Sequence, residues 1–255
     1  MPTVRRAGPD IHYTTRGEGR PIVLGHSFLC SGEMWAAQVE PLAAAGYRVV
    51  NVDARGHGGS GRIEAGFTLY DMVEDVVAVL DRLEVRRAIW AGLSIGGMVA
   101  LRAALVVPER VEALILLDTD AGPESAWKRF KYSALGMIAR TVGLRPVLPQ
   151  VERLMFGATT RRQRPDLVAA WRERFGGVHL PSILRMLRAL QDRDDVVPRL
   201  PEIAVPALVV VGEEDVSLPP VHSRVLARGL PGSRLVEVPG AGHLSALEQP
   251  EAVAR

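Results

Sequence analysis

Two kinds of segment alternate along most of this chain. Short runs of mostly apolar residues predict buried strands, and longer stretches with apolar residues three and four positions apart predict amphipathic helices. The strand-like runs are residues 11–16, 21–25, 47–52, 88–91, 111–117, 207–211 and 235–238. The helix-like segments are residues 32–45, 69–83, 98–107, 219–229 and those from about 249. Strands joined by crossover helices pair in parallel, so the pattern predicts an α/β fold with a doubly wound, mostly parallel sheet.

The alternation changes at two places. The first two strand-like runs are separated only by Gly17-Glu18-Gly19, which predicts an antiparallel pair at the sheet edge. From residue 121 to about 195, helical patches carry many arginines and large apolar side chains, and no strand-like run occurs. We interpret residues 121–195 as an inserted helical cap, and residues 1–120 and 196–255 as the core.

Composition narrows the class of protein. The chain has 255 residues, 47% of them hydrophobic, which suits one large α/β domain. Its 31 Lys and Arg against 29 Asp and Glu leave a net charge of +2, so no nucleic-acid partner is indicated. No apolar run reaches the roughly 18 residues of a membrane span. The chain has one cysteine, Cys30, and its first ten residues lack the apolar core of a signal peptide, so a cytoplasmic location is expected. The sequence is compatible with a homo-oligomer and does not decide the oligomeric state.

The segment Gly92-Leu93-Ser94-Ile95-Gly96 lies between a buried strand and a helix. This is the pattern of a nucleophile elbow, G-x-S-x-G. Glycines flank the serine because the sharp turn strains its backbone and brings strand and helix too close for side chains. A serine between glycines also occurs in ordinary turns, but this context predicts that Ser94 is a nucleophile.

Two further candidates follow strand-like runs, Asp215 and His243. The carboxyl ends of parallel strands meet at one edge of a sheet, so both are expected near Ser94. An imidazole can take the serine proton, and a carboxylate can orient the imidazole. The sequence predicts a Ser94–His243–Asp215 triad, with Asp118 as the alternative acid. Activity is expected to fall below roughly pH 6.5, where histidine of ordinary pKa becomes protonated.

A tetrahedral intermediate also needs donors for its oxyanion. The N–H of Ile95, at the start of a helix, and that of Phe28, in the loop after residues 21–25, are the predicted donors. The ring of Phe28 is also expected to wall the substrate pocket. Further pocket residues are predicted from their apolar or aromatic character: His26, Trp127, Phe130, Met137 and Trp171.

Over nearly its whole length the chain resembles a serine hydrolase of the α/β-hydrolase fold. The segments that carry the resemblance are GHSFLCSGEMWAAQ, YRVVNVDARGHGGSGR, AGLSIGGMVAL, VPALVVVGEEDVSLPP and VPGAGHLSALEQPEAVAR. The chain is similar to small carboxylesterases and 3-oxoadipate enol-lactonases, although His26-Ser27 stands where many members carry His-Gly. The resemblance implies a cofactor-free enzyme with a mobile cap, the triad and oxyanion donors given above, and a small ester or lactone as substrate.

Single sequence features argue against several other functions. Residues 56–61 satisfy G-x-G-x-x-G, but no helix follows directly, so a dinucleotide site is disfavoured. The histidines lack metal-binding spacing, and Cys30 is expected to be a buried, inert thiol. Ser94 at the elbow argues against haloalkane dehalogenases and related epoxide hydrolases, which carry Asp there. Ester or lactone hydrolysis is therefore expected; a C–C hydrolase, a perhydrolase and a slow-turnover ligand receptor are the alternatives.

Overall fold

The computed structural model describes residues 2–5 and 8–255, and its centre is a single sheet of eight strands. The strands are β1 (Thr3–Val4), β2 (Ile11–Arg16), β3 (Arg20–Gly25), β4 (Tyr47–Val52), β5 (Ala88–Leu93), β6 (Val111–Leu117), β7 (Ala207–Gly212) and β8 (Arg234–Val238). Their order is β1-β2-β4-β3-β5-β6-β7-β8. β3 to β8 pair in parallel, whereas β1 and β2 are antiparallel additions at one edge. The predicted mostly parallel sheet is confirmed.

Helices connect and cover the strands. They are α1 (Ala36–Ala44), α2 (Leu69–Arg82), α3 (Ile95–Val106), α4 (Ala126–Val142), α5 (Leu148–Met155), α6 (Ala158–Gln163), α7 (Pro165–Gly176), α8 (Leu180–Gln191), α9 (Pro220–Gly229), α10 (Ser245–Glu248) and α11 (Pro250–Ala254). The segment expected to be one helix over residues 32–45 is instead a 3-10 turn, Gly32–Trp35, followed by α1. None of the described helices has the length and apolar character needed to cross a membrane.

The antiparallel edge has a different partner from the one expected. β2 pairs with β4, and β4 separates β2 from β3. The connection Gly17-Glu18-Gly19 crosses over the start of β4: a Cβ on Gly17 would lie 2.4 Å from the Tyr47 oxygen, and one on Gly19 would lie 2.4 Å from the Gly46 oxygen. Both glycines also have positive φ, 75° and 111°. The two glycines therefore allow a crossing that looks like a hairpin turn in the sequence.

Apolar residues pack on both faces of the sheet. Along β3, Val23 belongs to one buried cluster, while Ile22 and Leu24 belong to the cluster on the opposite face. Because both faces are covered at the centre of the sheet, β5 and β7 appear in the sequence as continuous apolar runs without polar alternation.

The connection between β6 and β7 carries the helices α4 to α8. It packs on the core through buried side chains such as Phe156, Phe175 and Ile183. Helices α4, α5 and α8 line a cavity together with Ser94, which follows β5, and His243, which follows β8. The division into a core and a cap at residues 121 and 195 stays an interpretation.

Candidate active site

Ser94 lies in the turn between β5 and α3 with a strained backbone. Its φ is 55° and its ψ is −114°, a region that costs a residue with a side chain about 1–3 kcal/mol. The neighbouring strand holds this conformation: the Ser94 N–H donates to the Leu117 oxygen over 2.9 Å, and the Thr119 hydroxyl donates to the Ser94 oxygen over 2.6 Å. The serine is thus presented by backbone contacts rather than by its own side chain.

The glycines of the elbow lie where three elements approach one another. A Cβ on Gly92 would lie 2.2 Å from the carbonyl carbon of Gly96, and one on Gly96 would lie 2.2 Å from the oxygen of Gly25. Neither distance leaves room for a side chain. The close packing of strand and helix that the sequence pattern predicted is therefore present, and it also includes the end of β3.

The structure brings the three predicted triad residues together. His243 Nε2 lies 3.0 Å from the Ser94 Oγ, and His243 Nδ1 lies 2.8 Å from Asp215 Oδ2. The other carboxylate oxygen of Asp215 accepts from the N–H groups of Ser217 and Leu218, over 2.8 and 2.9 Å. Asp215 is thereby oriented by the turn that follows β7, and its free oxygen faces the imidazole.

The surroundings of His243 change its affinity for a proton. Burial on its own lowers the pKa of His243, but the charge of Asp215 and its hydrogen bond outweigh burial and leave the pKa above its ordinary value of 6.5. His243 acts as a base only while its imidazole is neutral. Activity should therefore fall with pH at a value above the 6.5 that the ordinary pKa of histidine suggests.

Asp118, the alternative acid, also lies at the end of a strand but has other partners. One carboxylate oxygen accepts from the Gly212 N–H over 2.7 Å, and the other accepts from the Ser245 hydroxyl. Burial, and then the nearby charge of Asp215, raise the pKa of Asp118 well above its usual range. Asp118 joins β6, β7 and α10, and the imidazole contact belongs to Asp215.

Glu248 holds the loop that carries His243, a contact that sequence reasoning missed. Its Oε1 accepts from the N–H groups of Gly242 and Leu244, over 3.0 and 3.2 Å, and its Oε2 accepts from the Gly157 N–H over 2.8 Å. The residues on both sides of His243 are therefore bound by one buried carboxylate. No sequence pattern marks such a contact, because its partners are backbone groups.

The first turn of α6 also contacts the loop that carries Asp215. Glu214 accepts from the Thr159 N–H over 2.8 Å and from the Thr159 hydroxyl over 2.5 Å. Through Gly157 and Thr159, the helical segment is attached both to the His243 loop and to the Asp215 loop.

The predicted oxyanion donors lie beside Ser94. Phe28 and Ser94 line the same cavity, and Ile95 is the first residue of α3. Within the part of the chain that the structure describes, the N–H groups of Phe28 and Ile95 donate to no other group. The loop of Phe28 is held by a hydrogen bond of 3.1 Å from the Cys30 N–H to the Ser27 oxygen. Two unpaired N–H groups are thus available near the serine hydroxyl.

The prediction that His26 lines the pocket is wrong. His26 Nδ1 donates to the Ser27 oxygen over 2.7 Å, and its Nε2 accepts from the Ala54 N–H over 2.8 Å. Because one ring nitrogen must donate and the other must accept, the ring is neutral, and burial lowers its pKa. His26 joins the loops after β3 and β4 instead of contacting a substrate.

His57 links the same two loops. Its Nδ1 donates to the Arg55 oxygen over 3.0 Å, and its Nε2 accepts from the Leu29 N–H over 3.4 Å. Burial, together with the neighbouring charge on His26 when that ring is protonated, lowers the pKa of His57 to about 3. Two neutral histidines therefore belong to the structure that holds the Phe28 loop.

A cavity of about 150 Å³ opens at Ser94 and His243 beneath the helical segment. Its wall is mostly aliphatic, and its polar side chains include Lys128 and Glu124. A closed cavity of this volume elsewhere holds a ring of six carbons, so the space suits a compact apolar group. Aliphatic wall residues include Leu135, Gly136, Ala139, Val151, Leu184 and Leu187.

The aromatic residues predicted to line the pocket lie elsewhere. Trp127, Phe130 and Met137 are 71%, 66% and 60% exposed on α4, whereas the cavity is lined by the opposite face of that helix. Trp171 is buried against Phe175, with ring centroids 5.9 Å apart. The residue types suggested a pocket, but the helical period decides which side chains reach it.

The glycine-rich segment after β4 is a structural loop. A Cβ on Gly58 would lie 2.3 Å from Asp53 Oδ2, and the same oxygen accepts from the Gly59 N–H over 2.8 Å.

Among the described residues no group of three or more His, Cys, Asp or Glu side chains could hold a metal ion. The thiol of Cys30 is buried, which raises its pKa.

Known proteins are similar to this chain over almost its whole length. A family model described as the alpha/beta hydrolase fold matches residues 20–250. A Mycobacterium tuberculosis protein named as a non-heme bromoperoxidase is 31% identical over 248 residues, 96% of this chain and 94% of the relative. A thermophilic esterase from Thermogutta terrifontis has a TM-score of 0.93 at 29% identity, covering 100% of this chain and 96% of that one. An enol-lactonase from Burkholderia xenovorans has a TM-score of 0.92 at 31% identity, covering 99% and 96%.

Proposed function

This chain belongs to the alpha/beta hydrolase fold family, and we propose that it hydrolyses carboxylic esters or lactones through a Ser94 acyl-enzyme. The observation that carries the proposal is the hydrogen-bonded series from Ser94 through His243 to Asp215, whose Ser94 end faces a mostly apolar cavity. The thermophilic esterase and the enol-lactonase, both similar over nearly the whole chain, support the choice of an ester or lactone bond.

In the first half of the reaction, His243 Nε2 takes the proton of the Ser94 hydroxyl as its oxygen attacks the carbonyl carbon. Asp215 keeps the proton on Nδ1, so that Nε2 is free to accept, and it stabilises the imidazolium that forms. The N–H groups of Phe28 and Ile95 donate to the oxygen that gains negative charge. His243 then gives its proton to the leaving alcohol oxygen, and the acyl group stays on Ser94.

In the second half, water takes the place of the alcohol. His243 removes a proton from the water while its oxygen attacks the acyl carbon, and the same N–H groups stabilise the second tetrahedral intermediate. Collapse returns the proton to Ser94 Oγ and releases the carboxylic acid. In a lactone the alcohol and the acid belong to one molecule, so a single hydroxy acid is released.

The proposal is tested with p-nitrophenyl esters of increasing acyl length, comparing the native protein with Ser94→Ala and Ser223→Ala. Ser223 is a buried serine on α9 whose hydroxyl has no partner among the described residues, so it serves as the matched control. We expect turnover that peaks at one acyl length, persists in Ser223→Ala and is lost in Ser94→Ala. Turnover retained in Ser94→Ala, or a single burst in the native protein, contradicts the proposal; the burst favours a ligand receptor.

A second candidate is perhydrolysis on the same acyl-enzyme. The relative from Mycobacterium tuberculosis is named as a non-heme bromoperoxidase, which favours this activity over C–C bond cleavage and over a receptor role. Hydrogen peroxide then takes the place of water, His243 takes its proton, and the product is a peracid. Peracid formed from an ester and peroxide, and lost in Ser94→Ala, establishes it; hydrolysis without peracid rejects it.

A further inference from the structure

Helix α4 presents large apolar side chains to solvent on the side away from the cavity. We call Trp127, Phe130, Met137, Ile138 and Val142 the outer stripe; all five are exposed, and the rings of Trp127 and Phe130 stack with centroids 5.9 Å apart. Single exposed apolar residues are ordinary on protein surfaces, but a contiguous group on one helix marks a surface that another body covers.

The charge of α4 indicates what kind of body. The helix contains Lys and Arg residues but no Asp or Glu from Ala126 to Val142. At the helical spacing of about 3.6 residues per turn, Lys131 lies within the outer stripe, and Arg140 lies beside its border at Met137. Lys131 is partly exposed, and Arg140 is exposed. The outer stripe therefore has one cation among its apolar side chains and a second cation along one border.

An anionic lipid surface complements this arrangement. Apolar side chains enter the boundary of the acyl region, and the long side chains of Lys131 and Arg140 reach the negative headgroups. Tryptophan is favoured at such boundaries. A second copy of the chain fits less well, because a two-fold contact between outer stripes would bring two basic helices together.

We propose that α4 docks the protein on anionic lipid–water interfaces through its outer stripe. The helix would lie on the lipid rather than cross it, which agrees with the absence of a membrane-crossing helix among the described residues. The opposite face of α4 contributes Leu135, Gly136 and Ala139 to the cavity beside Ser94. Docking would bring that cavity next to esters dissolved in the lipid, but the binding itself requires no hydrolysis.

Vesicle binding by the full-length protein tests the proposal. Phosphatidylcholine vesicles are compared with vesicles that also contain phosphatidylglycerol, in low and high salt, with the native protein and with Ser94→Ala. We expect both proteins to sediment with the anionic vesicles and to be released by salt, because exposed charges are screened. Vesicle binding by Ser94→Ala does not depend on hydrolysis. If the proposed hydrolytic function is wrong, the expected binding result therefore stays the same.

Tryptophan fluorescence gives a second measurement. Trp35, Trp90 and Trp171 are buried and only Trp127 is exposed, so a shift of emission to shorter wavelength on adding vesicles reports Trp127 entering an apolar phase. We expect that shift with anionic vesicles. No shift, with the protein left in the supernatant at every lipid composition, overturns the proposal.

Variants separate the two parts of the stripe. Phe130→Ser with Met137→Ser should weaken vesicle binding at least about tenfold, because two apolar side chains no longer enter the lipid. Lys131→Glu with Arg140→Glu should remove the preference for anionic vesicles. Val106→Ser with Val236→Ser changes exposed apolar residues of α3 and β8 and should leave binding unchanged.

Two outcomes would count against the lipid as the partner. Equal loss of binding in the control pair means that the outer stripe is not the contact. A dimer seen by sedimentation equilibrium without lipid, and abolished by Phe130→Ser with Met137→Ser, means that a second copy covers the stripe.

Discussion

The edge of the sheet that presents Ser94 and the helical segment above it are built in different ways. At the carboxyl ends of the strands, the catalytic residues are held by hydrogen bonds to backbone groups: the Leu117 oxygen accepts from the Ser94 N–H, and the turn after Asp215 donates to that carboxylate. Above it, the cavity wall consists mostly of aliphatic side chains from separate helices. The first region tolerates little change because its geometry comes from chain topology, whereas the second can change its shape by single substitutions.

The largest effect is expected at the acid. Asp215→Asn should lower kcat by roughly 10⁴-fold, because the amide no longer stabilises the imidazolium and favours the wrong tautomer. The measurement is steady-state ester hydrolysis. Asp118→Asn is the matched control, since an amide still offers an oxygen to the Gly212 N–H and an N–H₂ to Ser245, and it should retain most of kcat. The reverse ranking would assign the acid to Asp118.

A smaller loss is expected at Glu248. Glu248→Gln removes the negative charge and one acceptor oxygen beside the His243 loop, so kcat should fall between about tenfold and a hundredfold with little change in KM. The charge of Glu248 also contributes to the raised pKa of His243, so the acid limb of the pH profile should move to lower pH.

Glu251→Gln, at an exposed position of α11, is the control for that substitution. A merely structural role for Glu248 predicts a lower melting temperature and an unchanged pH profile, and would refute the positioning role.

In the helical segment, a single added side chain should alter selectivity. Gly136 lines the cavity, and a Cβ there would lie 3.2 Å from Leu184 Cδ2. Gly136→Leu should lower kcat/KM about tenfold for acyl groups of about six carbons and leave acetate esters nearly unaffected. Ala134→Leu, at an exposed position of the same helix, should change neither. Equal losses for all acyl lengths would mean that the cavity does not hold the acyl chain.

The smallest effect on activity is expected at His57, whose role is in stability. Its pKa is about 3 when folded against 6.5 ordinarily, so the unfolded chain binds a proton that the folded protein does not. The free energy of unfolding should therefore fall as the pH drops from 6.5 towards 3, by about 2 kcal/mol at pH 5.

Urea unfolding at pH 7 and pH 5 measures this contribution. In His57→Gln the decrease on acidification should be smaller than in the native protein by about that amount, while activity at pH 8 stays similar. His179→Gln changes a partly exposed histidine whose Nδ1 contacts the neutral Ser182 hydroxyl, and it serves as control. Identical pH dependence in all three proteins would exclude His57 as the source.

Sequence reasoning succeeded where chain topology decides position. Parallel strands end at one edge, so Ser94, Asp215 and His243 could be placed together from three strand-like runs. Sequence reasoning failed where one pattern of apolar residues fits two orientations of a helix. Apolar residues occur on both faces of α4, and the sequence alone does not tell which face meets the core, so Trp127 and Phe130 were placed in the pocket. Glu248 was missed because it binds backbone N–H groups, which leave no signature.

The attachment of the helical segment at Gly157 limits how such enzymes can be recombined. A Cβ on Gly157 would lie 2.7 Å from Glu214 Oε2 and 2.8 Å from the Gly242 nitrogen, so no larger residue fits between the two loops. A helical segment transplanted from another protein would have to supply a glycine and a free N–H at this place, whatever its other helices look like. Chimeras that exchange α4 or α8 alone keep this junction and should retain the order of the His243 loop.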